Sequence, residues 1–307
     1  MTVSIPAGRP SAGPGGTSGA GLPPARYAVI GNPVSHSRSP RIHALFAEQT
    51  GIALEYGLLP APLDAFETTV RDFFSGGGGG LNVTVPFKQQ AWTLAGRNLD
   101  ARARLAGAVN TLWMRDDALQ GSNTDGLGLV ADLRRLGAEL TGARILLLGA
   151  GGAARGVLQP LAEAGCARVH IVNRTPERAH ALASEWLRAT GATAPAVSAG
   201  ALPDAPMGGP WDIVINATAS SLGDAAPDLP GGLYAEGALA YDMMYGSQAT
   251  PFMRQAEADG AALVADGLGM LVGQAAESFF IWHGVRPDPA PVLASLRQEL
   301  APAAAPR

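Results

Sequence analysis

The segment Ile145-Leu146-Leu147-Leu148 contains no polar position and runs directly into Gly149-Ala150-Gly151-Gly152-Ala153-Ala154. A strand with one wet face alternates apolar and polar residues, whereas one without polar positions must be covered on both faces. Such strands belong to parallel sheets, and parallel neighbours need a crossover, usually a helix, to bring the chain back. The second half of the chain keeps that rhythm. Val169-His170-Ile171-Val172 and Ile213-Val214-Ile215 read as further strands, residues 238–241 and 262–264 as weaker ones, and residues 153–164 and 177–190 as helices. Leu129, Leu133 and Leu136 share one face of a helix that Gly137 closes, so this unit starts near Asp125. The first half reads similarly. Strands are expected at 27–31, 54–59 and 81–85, and helices from Ser39-Pro40 and over 66–74. The five glycines at 76–80 are expected to lie outside helix and strand and to loosen the loop before Thr84.

The glycine segment fits G-x-G-x-x-[G/A], with Gly149, Gly151 and Ala154 at the key positions and Ala150, Gly152 and Ala153 between them. One glycine makes the tight turn, one lets the backbone approach a pyrophosphate, and a small residue lets helix and strand pack closely. The pyrophosphate then meets unpaired N–H groups at a helix start. At the end of the next strand an NAD site usually places a carboxylate for the ribose 2′-hydroxyl. Here Asn173-Arg174-Thr175 stands there, with Arg178 one turn on. A carboxylate repels a 2′-phosphate and a guanidinium binds it bidentately, which favours NADP over NAD. The expected fold class is therefore α/β in two domains. One is a Rossmann-like, doubly wound NADP-binding domain, and the other is a second α/β domain.

Composition narrows the class further. The chain has 307 residues, 47% hydrophobic and 16% charged, enough for a sizeable core. Its net charge of −4 argues against a nucleic-acid partner, and no apolar run approaches the ~18 residues of a membrane span. The single Cys166 excludes an internal disulfide, fits a reducing cytoplasm and reads as a small packing residue. His36 and His43 read as helix-entry and surface residues, and no metal site is expected. Residues 1–24, rich in Gly, Pro, Ala, Ser and Thr, read as a disordered tail without the apolar core of a secretory signal, and residues 301–307 as a second short tail. Of the 22 basic residues, 21 are arginine and one is Lys88. Composition leaves open whether that lysine is chance or need. Only a lysine amine, however, can be tuned to give and take a proton.

Seven polar segments stand where a plain fold needs none. They are Ser35-His36-Ser37-Arg38-Ser39-Pro40, Asn82-Val83-Thr84-Val85-Pro86-Phe87-Lys88, Gly107-Ala108-Val109-Asn110-Thr111 with Asn123-Thr124-Asp125-Gly126, Asn173-Arg174-Thr175, Asn216-Ala217-Thr218, Tyr241-Asp242-Met243-Met244-Tyr245, and the run from Ala265 through Gly267 to Gln274. In this order, from Tyr27 to beyond His283, they closely resemble the shikimate dehydrogenase family. The resemblance implies reversible, NADPH-dependent reduction of 3-dehydroshikimate to shikimate, a step toward chorismate and the aromatic amino acids. It implies that Ser37 and Ser39 hold the substrate carboxylate and that Tyr245 closes the pocket beside it. Thr84, Asn110, Asp125 and Gln274 would bind ring hydroxyls or the carbonyl. Lys88 would be the acid–base residue with Asp125 its catalytic neighbour. Residues 149–153 with Asn173, Arg174, Thr175 and Arg178 would bind NADP, and Met243 and Gly267 would line the nicotinamide. The substrate domain would be discontinuous, residues 25–124 and 267–307 around an NADP domain of 125–266, in a monomer or homodimer.

The chemistry suits those residue types. Hydride addition to a ketone builds an alkoxide, and a positioned ammonium supplies the proton as the charge develops. A nearby carboxylate favours the charged lysine and orients it. Hydroxyls and amides, which both donate and accept, suit a polyol. The chain departs from the family in two places. An acidic residue that often precedes the Arg-Ala-x-x-Ala-Gly-Ala-Val-Asn stretch, within reach of the cofactor, is Ala101 here, with Asp100 one position earlier. Arg38 stands where Lys is common. Two rivals stay open, a broader quinate/shikimate dehydrogenase that uses NAD, and a dinucleotide sensor without catalysis. Arg174 speaks against the first, and the retained Lys88 and Asp125 against the second.

Overall fold

The computed structural model describes residues 24–191, 195–218 and 226–301. The expected tails fall, apart from Pro24 and Ala301, outside the described residues. Two sheets organise the chain. The first uses β1 (Ala25–Gly31), β2 (Leu54–Pro60), β3 (Gly78–Val83), β4 (Thr111–Arg115) and β5 (Ala118–Ser122) in the order β2-β1-β3-β4-β5. Its first three strands are parallel, joined through α1 (Ser39–Thr50) and α2 (Phe66–Ser75). β4 and β5 form an antiparallel hairpin after α3 (Lys88–Ala95) and α4 (Ala101–Ala106), so the sheet is mixed.

The second sheet is wholly parallel. It comprises β6 (Arg144–Leu148), β7 (Arg168–Val172), β8 (Ala196–Gly200), β9 (Trp211–Asn216), β10 (Tyr234–Asp242) and β11 (Leu263–Asp266), ordered β11-β10-β9-β6-β7-β8. Counted within the sheet from β8, this is the 3-2-1-4-5-6 order of dinucleotide-binding sheets, with the switch point between β6 and β9. The missing polar positions of β6 are explained by its two faces. Ile145 and Leu147 pack under α5 (Asp125–Arg135), α6 (Gly152–Glu163) and α7 (Pro176–Thr190), while Leu146 and Leu148 pack toward Phe252 and Ala256 of α8 (Pro251–Ala258). After β11 the chain returns to the first sheet through α9 (Leu268–His283) and α10 (Pro289–Leu300), which bury Phe279, Val292 and Leu296 with Ile42 and Phe46 of α1.

Two expectations are corrected. Three of the five glycines, Gly78, Gly79 and Gly80, lie inside β3, which ends at Val83, so Thr84 and Val85 belong to the following loop. A side chain at these positions would collide with the rings of Phe73, Tyr27 and Trp282 respectively, so close ring packing selects glycine over strand propensity here. His43 is not a surface residue but fully buried, its ring stacked on Tyr56 at 4.1 Å between centroids. Neither ring nitrogen makes a well-formed hydrogen bond, and burial pushes its pKa down to about 3 against the opposing influence of neighbouring Asn82. Cys166 is buried as expected, and burial raises its thiol to about 11.

Candidate active site

Lys88 opens α3 and Asp125 opens α5, so each side chain projects from a helix start whose backbone is held by neighbours. The loop before Lys88 is tied to β1: Thr84 N–H donates to the Ile30 carbonyl at 2.9 Å and Asn32 N–H to the Val85 carbonyl at 3.1 Å. The Lys88 carbonyl accepts Val109 N–H at 2.9 Å, which joins this loop to the Asn110 segment. Phe87, fully buried, anchors the turn. Lys88 Nζ thereby donates to Asp125 Oδ2 at 2.6 Å, 37 positions away in the chain. The pair is partly sheltered, with 31% of the lysine and 15% of the aspartate side chain exposed. It keeps contact with solvent.

Asn110 bridges outward from this pair. Its Nδ2 donates to Asp125 Oδ1 at 2.8 Å and lies 2.9 Å from Thr124 Oγ1 and 3.2 Å from Gln274 Oε1. Gln274 comes from α9, and its Nε2 donates to the Leu271 carbonyl at 2.9 Å. Four segments, around Lys88, Asn110, Thr124–Asp125 and Gln274, therefore converge here. The serine segment forms the entry to α1. Ser39 is buried, Ser37 is half-buried, and their hydroxyls lie 3.2 Å apart. Tyr245 is half-buried against the α1–α9 core. Burial raises its pKa, and the charge of nearby Arg38, inside the serine segment, opposes that rise.

The glycine loop follows β6 into α6 at the switch point. Gly149 has φ +105°, a conformation open to glycine and strained for other residues, and a Cβ there would lie 3.2 Å from the Ala217 carbonyl. Gly151 and Gly152 face open space, so backbone N–H groups at the start of α6 are accessible to a diphosphate. Ala154 is fully buried against the sheet, as close helix–strand packing requires. Arg174 and Arg178 are exposed around the start of α7, where the Asn173 amide donates to the Thr175 carbonyl at 2.8 Å. Met243 and Gly267 adjoin: Met243 N–H donates to the Asn216 carbonyl and Gly267 N–H to the Met244 carbonyl, both at 2.9 Å. A Cβ on Gly267 would overlap the Met243 carbonyl, so this approach selects glycine. These residues fit a 2′-phosphorylated dinucleotide.

The two groups of residues meet at α5. A Cβ on Gly126, next to Asp125, would lie 2.5 Å from the Gly156 carbonyl of α6. The Lys88–Asp125 pair thus adjoins the helix whose start carries the glycine loop. Asp100 serves elsewhere. It caps α4, accepting Ala103 N–H at 2.7 Å and the Ser122 hydroxyl at 2.6 Å. Sequence reasoning missed Thr124, Asn82 and Ser278, all buried and all bonded into the Asn110–Gln274 cluster. Ser278 lies four residues after Gln274 on α9, a spacing that puts both on one helix face. Among the described residues no cluster of three or more His, Cys, Asp or Glu could hold a metal, and no helix is long and apolar enough to cross a membrane.

Comparison with known proteins agrees along the chain. Residues 29–112 match the shikimate dehydrogenase substrate binding domain, 132–222 the shikimate / quinate 5-dehydrogenase model, and 267–297 the shikimate 5′-dehydrogenase C-terminal domain. The chain is 70% identical over 275 residues to the NADP(+) shikimate dehydrogenase of Bordetella avium, covering 90% of this chain and 96% of that one. It superposes on the shikimate 5-dehydrogenase of Thermus thermophilus, solved with NADP(H) and shikimate, with a TM-score of 0.78 and 36% identity over 90% of this chain and all (100%) of that one. The 5-ketofructose reductase of a Gluconobacter strain shares the fold at a TM-score of 0.79 and 30% identity, over 91% of this chain and 99% of that one. Matched in order by three family models and at 70% identity by a relative it covers almost fully, the chain belongs to the shikimate dehydrogenase family.

Proposed function

We propose that this protein is an NADP-dependent shikimate dehydrogenase, an oxidoreductase that reversibly reduces 3-dehydroshikimate to shikimate. The observation that carries the reading is the 2.6 Å contact between Lys88 Nζ and Asp125 Oδ2, bridged by Asn110 toward Gln274. NADPH, when bound, supplies the hydride. Gly149, Ala150, Gly151, Gly152 and Ala153 would hold its diphosphate, Asn173, Arg174, Thr175 and Arg178 its 2′-phosphate and ribose, and Met243 and Gly267 its nicotinamide. The Lys88 ammonium gives its proton to the carbonyl oxygen as negative charge develops there, and takes it back in the reverse direction. Asp125 keeps that ammonium aimed and accepts a hydrogen bond from the ring hydroxyl beside the reacting carbon. Thr84, Asn110 and Gln274 match the remaining ring oxygens. The Ser37 and Ser39 hydroxyls bind the substrate carboxylate, with Tyr245 closing over it.

Such a site discriminates through its own polar groups. An analogue lacking a hydroxyl leaves a donor or acceptor unpaired, which costs up to ~10⁴ in kcat/KM. We further infer a substrate-binding unit formed by residues 25–124 and 267–307 around an NADP-binding unit of 125–266. The strands of the two sheets divide on either side of Asp125, which supports that division. The test is a spectrophotometric assay of purified protein, crossing shikimate and quinate against NADP and NAD. Shikimate with NADP is expected to give much the highest kcat/KM. Equal use of quinate and NAD would transfer the assignment to a broader quinate/shikimate enzyme.

A further inference from the structure

The side chains meant to face substrate rest on a second layer of buried hydroxyls and amides, whose donors and acceptors follow from the groups that can play only one role. Thr124 N–H can only donate, so the Asn110 atom 2.9 Å from it is the amide oxygen. The Asn110 nitrogen therefore faces the Asp125 carboxylate, as the 2.8 Å contact requires. The same oxygen also accepts from the Thr111 hydroxyl at 2.9 Å, which uses Thr111's one proton. Thr111 Oγ1 lies 2.8 Å from Ser278 Oγ, and with Thr111's proton used Ser278 is the donor, its one proton shared between Thr111 and the Gln274 carbonyl at 3.1 Å.

On its other side Ser278 accepts from Asn82. The Asn82 nitrogen is identified by its 3.1 Å bond to the Asn110 carbonyl, and it reaches Ser278 Oγ at 2.9 Å. Tyr56 completes the set by donating its hydroxyl to Asn82 Oδ1 at 2.7 Å. One directed chain results, from Tyr56 and Asn82 through Ser278 and Thr111 to Asn110, ending on the oxygen of Asp125 that Lys88 does not hold. Ser278 is fully buried.

We propose that Ser278 is a positioning residue for the dehydrogenase reaction: through Thr111 it fixes the Asn110 amide, and through Asn110 the carboxylate of Asp125. The proposal rests on the reading of Asn110 and Asp125 as substrate-facing groups. It requires no contact between Ser278 and substrate. The loss expected on removing it therefore falls on shikimate turnover and not on the dinucleotide, whose loop lies beyond α5.

The test compares the unmodified protein with Ser278→Ala, Thr111→Val and the double variant. Each single change is expected to lower kcat/KM for shikimate by about tenfold, while KM for NADP stays within about twofold. Because both act on one chain, the double variant should lose little more than either single one, whereas independent residues would multiply their losses to about a hundredfold. Multiplied losses, or unchanged kcat/KM in Ser278→Ala, overturn the proposal. So does a parallel loss of NADPH binding, followed by its fluorescence, and of melting temperature, since that marks a purely structural residue. Failure of the functional reading looks different: the unmodified protein would itself not oxidise shikimate with NADP.

Discussion

Lys88 stands alone among 21 arginines, and its surroundings give that solitude a chemical reason. Its Nζ meets one oxygen of Asp125 at 2.6 Å, an arrangement in which a guanidinium supplies charge but no transferable proton. Lys88→Arg should thus fail almost as badly as Lys88→Ala, each losing about 10²–10⁴ in kcat while NADPH still binds. Steady-state rates together with an NADPH titration check this, and near-normal turnover by Lys88→Arg would refute the proton-transfer role. Arg174→Asp should raise KM for NADPH far more than KM for NADH, and equal shifts would remove the 2′-phosphate from its side chain. His43 provides a pH signature. Its folded pKa of about 3 lies below the ordinary value of 6.5, so the unfolded chain binds the extra proton. Stability is therefore lost as pH falls from about 6.5 toward 3, by about 2 kcal/mol at pH 5. Urea midpoints at pH 7 and pH 5 should lie closer together in His43→Phe, which keeps a ring against Tyr56, the remaining gap including His170 and His283, whose pKa burial also lowers.

Helix α5 shows how an element carries this chemistry. Its first residue is Asp125, and its glycines let it lie directly against two other helices. Gly126 abuts α6, and a Cβ on Gly128 would lie 2.5 Å from both the Met270 carbonyl and the Gln274 amide of α9. Both obstacles are backbone, so neither can swing aside. Gly128→Ala should cost about 2 kcal/mol or more, read as a lower urea midpoint, because overpacking a rigid contact forces the helices apart. An unchanged midpoint would mean that α5 and α9 part freely. The strands were legible to different degrees. β6, β7 and β9 carry near-continuous apolar centres, at 145–148, 169–172 and 213–215, and are legible from pattern alone. The β4–β5 hairpin was not, because its turn is Asp116-Asp117, both at positive φ, in place of the Asn-Gly or Asp-Gly signal. The β8 segment Ala-Val-Ser-Ala-Gly has little strand propensity and forms only because β7 offers it an edge.

At the scale of the whole molecule, α5 and α9 stitch the two sheets together. Tyr241 of β10 donates to Asp132 of α5 at 2.8 Å and accepts Met270 N–H of α9 at 3.2 Å, and Asp266 at the end of β11 pairs with Arg297 of α10. Buried carboxylates held this way tie the nucleotide-binding sheet to the helices that cover the other sheet. Unfolding should accordingly appear as one calorimetric transition. NADP at a hundred times its Kd should raise the stability of the whole by about 2.7 kcal/mol. Two transitions, only one of them moved by NADP, would show that the sheets unfold independently.

The sequence by itself determined the α/β class, the glycine turn before α6, the arginine in place of an NAD-type acid, and the short polar segments that carry the chemistry. These are local facts: a run without polar positions, a residue that tolerates positive φ, a charge of one sign at a strand end. Only the tertiary structure decided that Gly78, Gly79 and Gly80 form a strand, that His43 is buried, that Asp100 takes the Ser122 hydroxyl, and that Ser278 stands behind Asn110. Each of these depends on a partner from 5 to 202 positions away, which spacing along the chain does not identify and which only packing brings into contact.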